Sequence, residues 1–134
     1  RRRQRQMCIR DRLYDYMTGI QYLDFIADIF GVSAAQRAQR IRQYGDAFGL
    51  TPDLAQSIGA YSHGMKQKLA IISAWLHEPK LILMDEPFKG LDEALSHRII
   101  ERIREKQMKE ERIILFTSHN PDEIRLLADE VIYL

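Results

Sequence analysis

The sequence predicts an α/β chain, with a helical first half followed by parallel β-strands that alternate with helices. Three observations predict it. Leu81-Ile82-Leu83-Met84 is an apolar run leading into Asp85-Glu86, which is how a buried parallel strand reads. Arg112–Thr117 and Val131–Leu134 also read as strands, and helical patterns separate all three, a βαβαβ order that implies a parallel sheet with right-handed crossovers. The residues before Leu81 place their apolar side chains at helical spacing.

The elements follow in order. Thr18 is expected to cap a helix running to about Phe30 and ended by Gly31, with Ile20, Leu23, Ala27 and Phe30 on one face. Ser33-Ala34-Ala35-Gln36 fits a capping box. The helix it opens turns Ile41, Tyr44 and Phe48 inward and stops at Gly49. Thr51-Pro52-Asp53 reads as the start of a short helix with proline at its first position. Ser62 caps a helix to about His77 that buries Met65, Leu69, Ile72 and Leu76. A strand over Lys80–Met84 comes next. Asp92 then caps a helix with Leu95, Ile99 and Ile103 on one face. After the strand Arg112–Thr117, Asn120 caps another, with Pro121 first and Ile124, Leu127 and Ala128 inward.

Length and composition set the frame. At 134 residues the chain is at most one domain, and 46% hydrophobic residues suffice for a core. No apolar run approaches the ~20 residues a membrane span needs, and there is no signal-peptide pattern. Residues 1–12 stand apart: they hold six arginines and the single cysteine, Cys8. A basic arm for nucleic acid or acidic lipid is one reading. However, Met7-Cys8-Ile9-Arg10-Asp11-Arg12 resembles the translation of a transposon-end sequencing adapter. Residues 1–12 are therefore expected to be a non-native, adapter-derived leader outside the fold. Without the six arginines and Asp11, 14 basic and 18 acidic residues remain, and the net charge moves from +1 to −4. Nothing then favours a nucleic-acid partner. The remainder has no cysteine, so disulfides play no part, which fits a reducing compartment. His63, His77 and His97 do not form a metal-binding cluster.

The chemistry concentrates at the strand ending in two acids. Asp85 and Glu86 emerge at a strand's carboxyl end, where open α/β sheets bind their ligands. Asp85 can hold Mg²⁺, directly or through water, because that ion prefers one or two carboxylates plus substrate phosphates. Glu86 can orient or deprotonate a water attacking a γ-phosphate. At Ser62, a helix N-terminus offers amides and a positive dipole end to a phosphate.

Four stretches together resemble the ATP-binding cassette (ABC) ATPases. Asp85-Glu86-Pro87 is similar to the Walker B motif. Ser62-His63-Gly64-Met65, starting 23 residues before Asp85, resembles the signature motif. Gly90-Leu91-Asp92 resembles the D-loop. Thr117-Ser118-His119, with His119 34 residues after Asp85, resembles the H-loop. Order and spacing are family-like, and the resemblance covers residues 13–134. It implies a partial P-loop NTPase (ABC ATPase) domain. Residues 13–78 would be the helical subdomain with the signature motif, and residues 79–134 the C-terminal part of the catalytic α/β core. Two residues depart from the pattern, His63 for the usual first glycine and Met65 for the usual glutamine. The phosphate loop G-x-x-x-x-G-K-[ST] has no counterpart in the sequence, and the Q-loop glutamine has no assigned position. The chain is therefore expected to be the back portion of such a subunit, inactive alone.

The resemblance also implies roles. The cofactors would be ATP and Mg²⁺. Glu86 and His119 would be catalytic, and Asp85 would hold the metal. Ser62, His63, Gly64, Met65 and Asp92 would contact nucleotide, with Ser62 and Gly64 serving ATP held by the opposite subunit of a head-to-tail dimer. Asp92 is equally well read as a helix cap. The implied partners are a second ATP-binding subunit and a transmembrane permease, placing the chain in the cytoplasm at the inner face of the cell membrane. Similarity around Tyr14–Phe30 and Tyr61–Lys68 is to exporter-type members. The alternatives are a soluble ABC ATPase of translation or DNA repair and a helicase-like ATPase. The Ser62 motif and the negative charge argue against the helicase.

Overall fold

A computed structural model describes residues 14–109, 113–129 and 131. The expected leader, Arg112 and most of the strand expected over Val131–Leu134 lie outside the described residues. The chain divides after His77 into two compact units.

The first unit is helical. Helix α1 spans Gly19–Ile29, α2 Ala34–Phe48 and α3 His63–Trp75, and each of the three touches the other two. The caps are those the sequence predicts. Thr18 Oγ1 accepts from Gln21 N–H, and Gln21 Oε1 accepts from Thr18 N–H. That pair is the reciprocal capping box, whereas Ser33 makes only its own half, accepting from Gln36 N–H. Gly49 ends α2 in the left-handed region (φ 67°), where glycine carries no Cβ penalty. Thr51–Asp53 forms a 3-10 turn rather than an α-helix.

The apolar faces meet in one core of Leu23, Ala27, Ile41, Tyr44, Phe48, Leu50, Leu69, Ile72, Trp75 and Leu76, all buried. Burying each of the larger side chains contributes roughly 1.5–3 kcal/mol relative to exposure. Three expectations need correction, and the first is Ile20, which is exposed rather than packed with Leu23 and Ala27. Met65 is only half-buried. Phe30 is exposed rather than inward, and its ring stacks on His77 instead, with centroids 3.7 Å apart and planes within 8°. The segment before α3 is fastened to the start of α1. Gly19 N–H donates to Gln56 O, Ile20 N–H to Leu54 O and Ile58 N–H to Met17 O. Tyr61, also buried, donates its hydroxyl to Asp53 O.

The second unit is a β-α-β arrangement followed by a short helix. Strand β1 (Leu81–Asp85) pairs in parallel with β2 (Ile113–Thr117), with α4 (Glu93–Lys109) between them in sequence and α5 (Pro121–Leu127) after them. Strand β1 starts and ends one residue later than the sequence predicts. Asp92 Oδ1 accepts from Leu95 N–H at the start of α4, and Asn120 Oδ1 accepts from Asp122 N–H at the start of α5. Leu95, Ile99 and Ile103 are buried, as expected of the α4 stripe, and Ile100 is buried beside them.

The expectation that β1 is buried on both faces does not hold. Ile82 and Met84 are buried, but Leu81, Leu83, Ile113 and Leu115 are 52% to 70% exposed. These four are two register pairs on one face, Leu81 opposite Ile113 and Leu83 opposite Leu115. Side chains alternate between faces along a strand, so a continuous apolar run becomes one buried row and one exposed row here.

Candidate active site

The candidate site in the second unit is built at the carboxyl edge of β1 and β2. The parallel register places Asp85 opposite Thr117, so the two strands end level. Thr117 Oγ1 donates to Asp85 Oδ1 at 2.5 Å and accepts the Glu86 N–H at 2.9 Å. Beyond β1 the chain turns sharply. Glu86 O accepts from Lys89 N–H and Phe88 O from Leu91 N–H, and the Phe88 side chain is buried. Glu86 itself is in the left-handed region, at φ 49°. A non-glycine residue there carries a cost of order 1–3 kcal/mol and persists only where its surroundings fix it. Pro87 contributes by disfavouring the right-handed helical region for the residue before it.

His119 lies on the loop after β2. Ser118 holds that loop on both sides of the histidine, accepting from Asn120 N–H and donating to Glu123 Oε2 at 2.6 Å. The imidazole is 98% exposed, and its Nε2 lies 3.2 Å from Oε1 of Glu86, whose side chain is only 26% exposed. Asp85 is exposed. The structure thus brings together Asp85, Glu86 and His119, as the sequence predicts, and adds Thr117 and Ser118. Neither hydroxyl has a role in the sequence reading. Thr117 is found only through the register that sets it opposite Asp85, which the sequence does not display.

Asp92 is found capping α4, as one of its two readings requires. Ser62, His63, Gly64 and Met65 lie together in the first unit at the start of α3. Ser62 Oγ accepts from Met65 N–H at 3.2 Å. His63 is exposed in the first turn, while Gly64 and Met65 are half-buried.

Among the described residues no group of three or more His, Cys, Asp or Glu is placed to hold a metal ion. An exposed carboxylate at a strand end fits an ion that completes its shell with water and phosphate oxygens, as Mg²⁺ does. Among the described residues, no helix is long and apolar enough to cross a membrane.

Comparison with known proteins agrees with the α/β fold. A family model described as "AAA domain, putative AbiEii toxin, Type IV TA system" matches residues 7–125. The ABC transporter ATP-binding protein NatA of Bacillus subtilis (strain 168) is 36% identical over 122 residues, 91% of this chain and 49% of NatA. ABC transporter A family member 1 of Dictyostelium discoideum is 32% identical over 92% of this chain and 14% of its own length. The linearmycin resistance ATP-binding protein LnrL of Bacillus subtilis (strain 168) is 31% identical over 89% of this chain and 38% of LnrL. A solved ATP-binding subunit of an ABC transporter superposes with a TM-score of 0.77 at 34% identity, covering 85% of this chain and 48% of that one. The chain therefore spans about half the length of NatA and of the solved subunit, or less in the larger relatives. With these matches in agreement, the chain belongs to the AAA-domain family of that model and is similar over most of its length to the ATP-binding subunits of ABC transporters.

Proposed function

We propose that this chain is the C-terminal portion of a nucleotide-binding subunit that hydrolyses ATP and drives solute export through a membrane permease. The observation that carries the reading is the contact between Glu86 and His119 beside Asp85 at the end of β1. In this reading Glu86 orients the attacking water and accepts its proton. His119 Nε2 carries one hydrogen, which faces Glu86 Oε1 without nucleotide and is donated to the γ-phosphate when ATP is bound. Asp85 holds Mg²⁺, which when bound neutralises phosphate charge. The described half-burial of Glu86 favours a carboxylate shielded in part from competing solvent.

The signature segment serves the second subunit's nucleotide. Ser62 Oγ accepts from Met65 N–H, which leaves its hydroxyl hydrogen to donate to phosphate alongside the first-turn amides of His63 and Gly64 and the helix dipole. Two subunits pair head to tail around ATP. A permease partner brings them to the cytoplasmic face of the membrane. The name of LnrL, linearmycin resistance, fits an outward direction of transport.

The test uses a mixed dimer of the full-length protein. In one arrangement Ser62→Arg is in one subunit and a disabled phosphate loop is in the other, so both lesions fall on one composite site. In the second arrangement one subunit carries both lesions and both sites are spoiled. The first should retain more activity, given a control showing that one intact site turns over alone. Equal activity in the two would remove the trans role of Ser62.

A further inference from the structure

We propose that Thr117 is a positioning residue whose single hydroxyl fixes the Asp85 side chain and the Glu86 backbone together. The proposal deepens the reading above and rests on it for the roles of the two acids. A threonine hydroxyl has one hydrogen to donate and lone pairs to accept with. Here the hydrogen goes to Asp85 Oδ1 and a lone pair takes the Glu86 N–H. Each bond sets the direction of the other, so the hydroxyl has one satisfied orientation. The parallel register supplies the geometry, since Thr117 is the residue directly opposite Asp85.

Two consequences follow for the acids. One oxygen of Asp85 is engaged by the hydroxyl, which holds the carboxylate plane and leaves Oδ2 for a cation. Glu86, at φ 49°, is held from both ends, by Thr117 at its N–H and by Lys89 N–H at its carbonyl. Released at the N–H, Glu86 can relax toward ordinary backbone angles. Its carboxylate would then leave the position 3.2 Å from His119 Nε2. Thr117 touches neither water nor phosphate in this account and acts through its neighbours.

Valine tests this with little change of shape. It keeps the β-branch that suits a strand and deletes both hydrogen bonds. Serine keeps the hydroxyl and drops the methyl. The measurement is ¹H–¹⁵N NMR of this chain, with amide hydrogen exchange. Thr117→Val should lower protection of the Glu86 amide by up to about tenfold, the scale of one lost hydrogen bond, with Ile99 in the core of α4 unchanged. It should also shift the His119 ring protons in the direction produced by Glu86→Gln. Thr117→Ser should leave both readouts near those of the unsubstituted chain. Unchanged Glu86 and His119 signals in Thr117→Val, or the same change in Thr117→Ser, would overturn the proposal. If Thr117→Val does not fold, Thr117→Ala carries the same test. Loss of fold in both, with Thr117→Ser folded, would also overturn it, because the hydroxyl would then support the sheet at large. Adding Mn²⁺ separates this proposal from the one it rests on. Broadening centred on Asp85 supports both. The expected exchange pattern without broadening there supports the clamp and removes the cation role of Asp85.

Discussion

His119 Nε2 lies 3.2 Å from Glu86 Oε1, although the two residues belong to loops that follow different strands. Neighbouring parallel strands bring those loops side by side. Because the imidazole is almost fully exposed, it contributes little to packing. We therefore expect His119→Ala to melt with the unsubstituted chain while the full-length protein loses turnover, by about 10²–10³-fold if His119 stabilises developing charge on the phosphoryl group. Circular dichroism melting and steady-state phosphate release check the two halves of this prediction.

Asp92 offers a test of its two readings. As a cap, its carboxylate satisfies Leu95 N–H at 2.7 Å. Asp92→Ala should then destabilise the chain by about 0.5–2 kcal/mol, and Asp92→Ser should recover most of that. Urea denaturation measures it. A full-length Asp92→Ser protein that is stable but impaired in turnover would show the D-loop role in addition to the cap.

Tyr61 predicts a pH dependence of the first unit. Burial pushes its phenol above the ordinary value of 10, and the nearby Asp53 charge pushes the same way. Burial likewise raises Tyr22. A folded state with the higher pKa binds the proton more tightly than the unfolded chain. Its contribution is fully present below pH about 10 and is lost as the pH rises through the folded value. Tyr61→Phe loses the hydrogen bond to Asp53 O and should be less stable at neutral pH by about 0.5–1.5 kcal/mol. That gap should narrow above pH about 10, which melting curves taken across that range would show.

Nucleotide binding by the chain alone should be weak. The sequence contains no G-x-x-x-x-G-K-[ST] loop to cradle the phosphates, and Asp85 with Glu86 cannot supply that cradle. Calorimetry with Mg²⁺–ATP should detect no micromolar affinity, and a micromolar dissociation constant would contradict the account.

Much of this was legible in the sequence because the signals are local. Thr18, Ser62, Asp92 and Asn120 cap the helices they were expected to cap, since capping needs only a side-chain oxygen two or three residues from an amide. The acids at the end of β1 and the following histidine were legible from order and spacing. The exposed row of Leu81, Leu83, Ile113 and Leu115 was not. An apolar run states what a strand can bury, not which of its faces is covered. Phe30 fits the stripe of α1 by spacing, yet it sits at that helix's end and stacks on His77, a contact between residues distant in sequence. Thr117 was hidden for a similar reason: its role depends on strand register, which no single segment encodes.

The central claim is that Glu86 handles the attacking water. The most direct measurement is steady-state ATP turnover by the full-length protein carrying Glu86→Gln, with the state of assembly followed by size exclusion. Glutamine keeps the shape and loses the carboxylate. The account predicts turnover lowered by about 10²–10⁴-fold and accumulation of an ATP-bound dimer. Turnover equal to that of the unsubstituted protein would contradict it and remove Glu86 from the catalytic role.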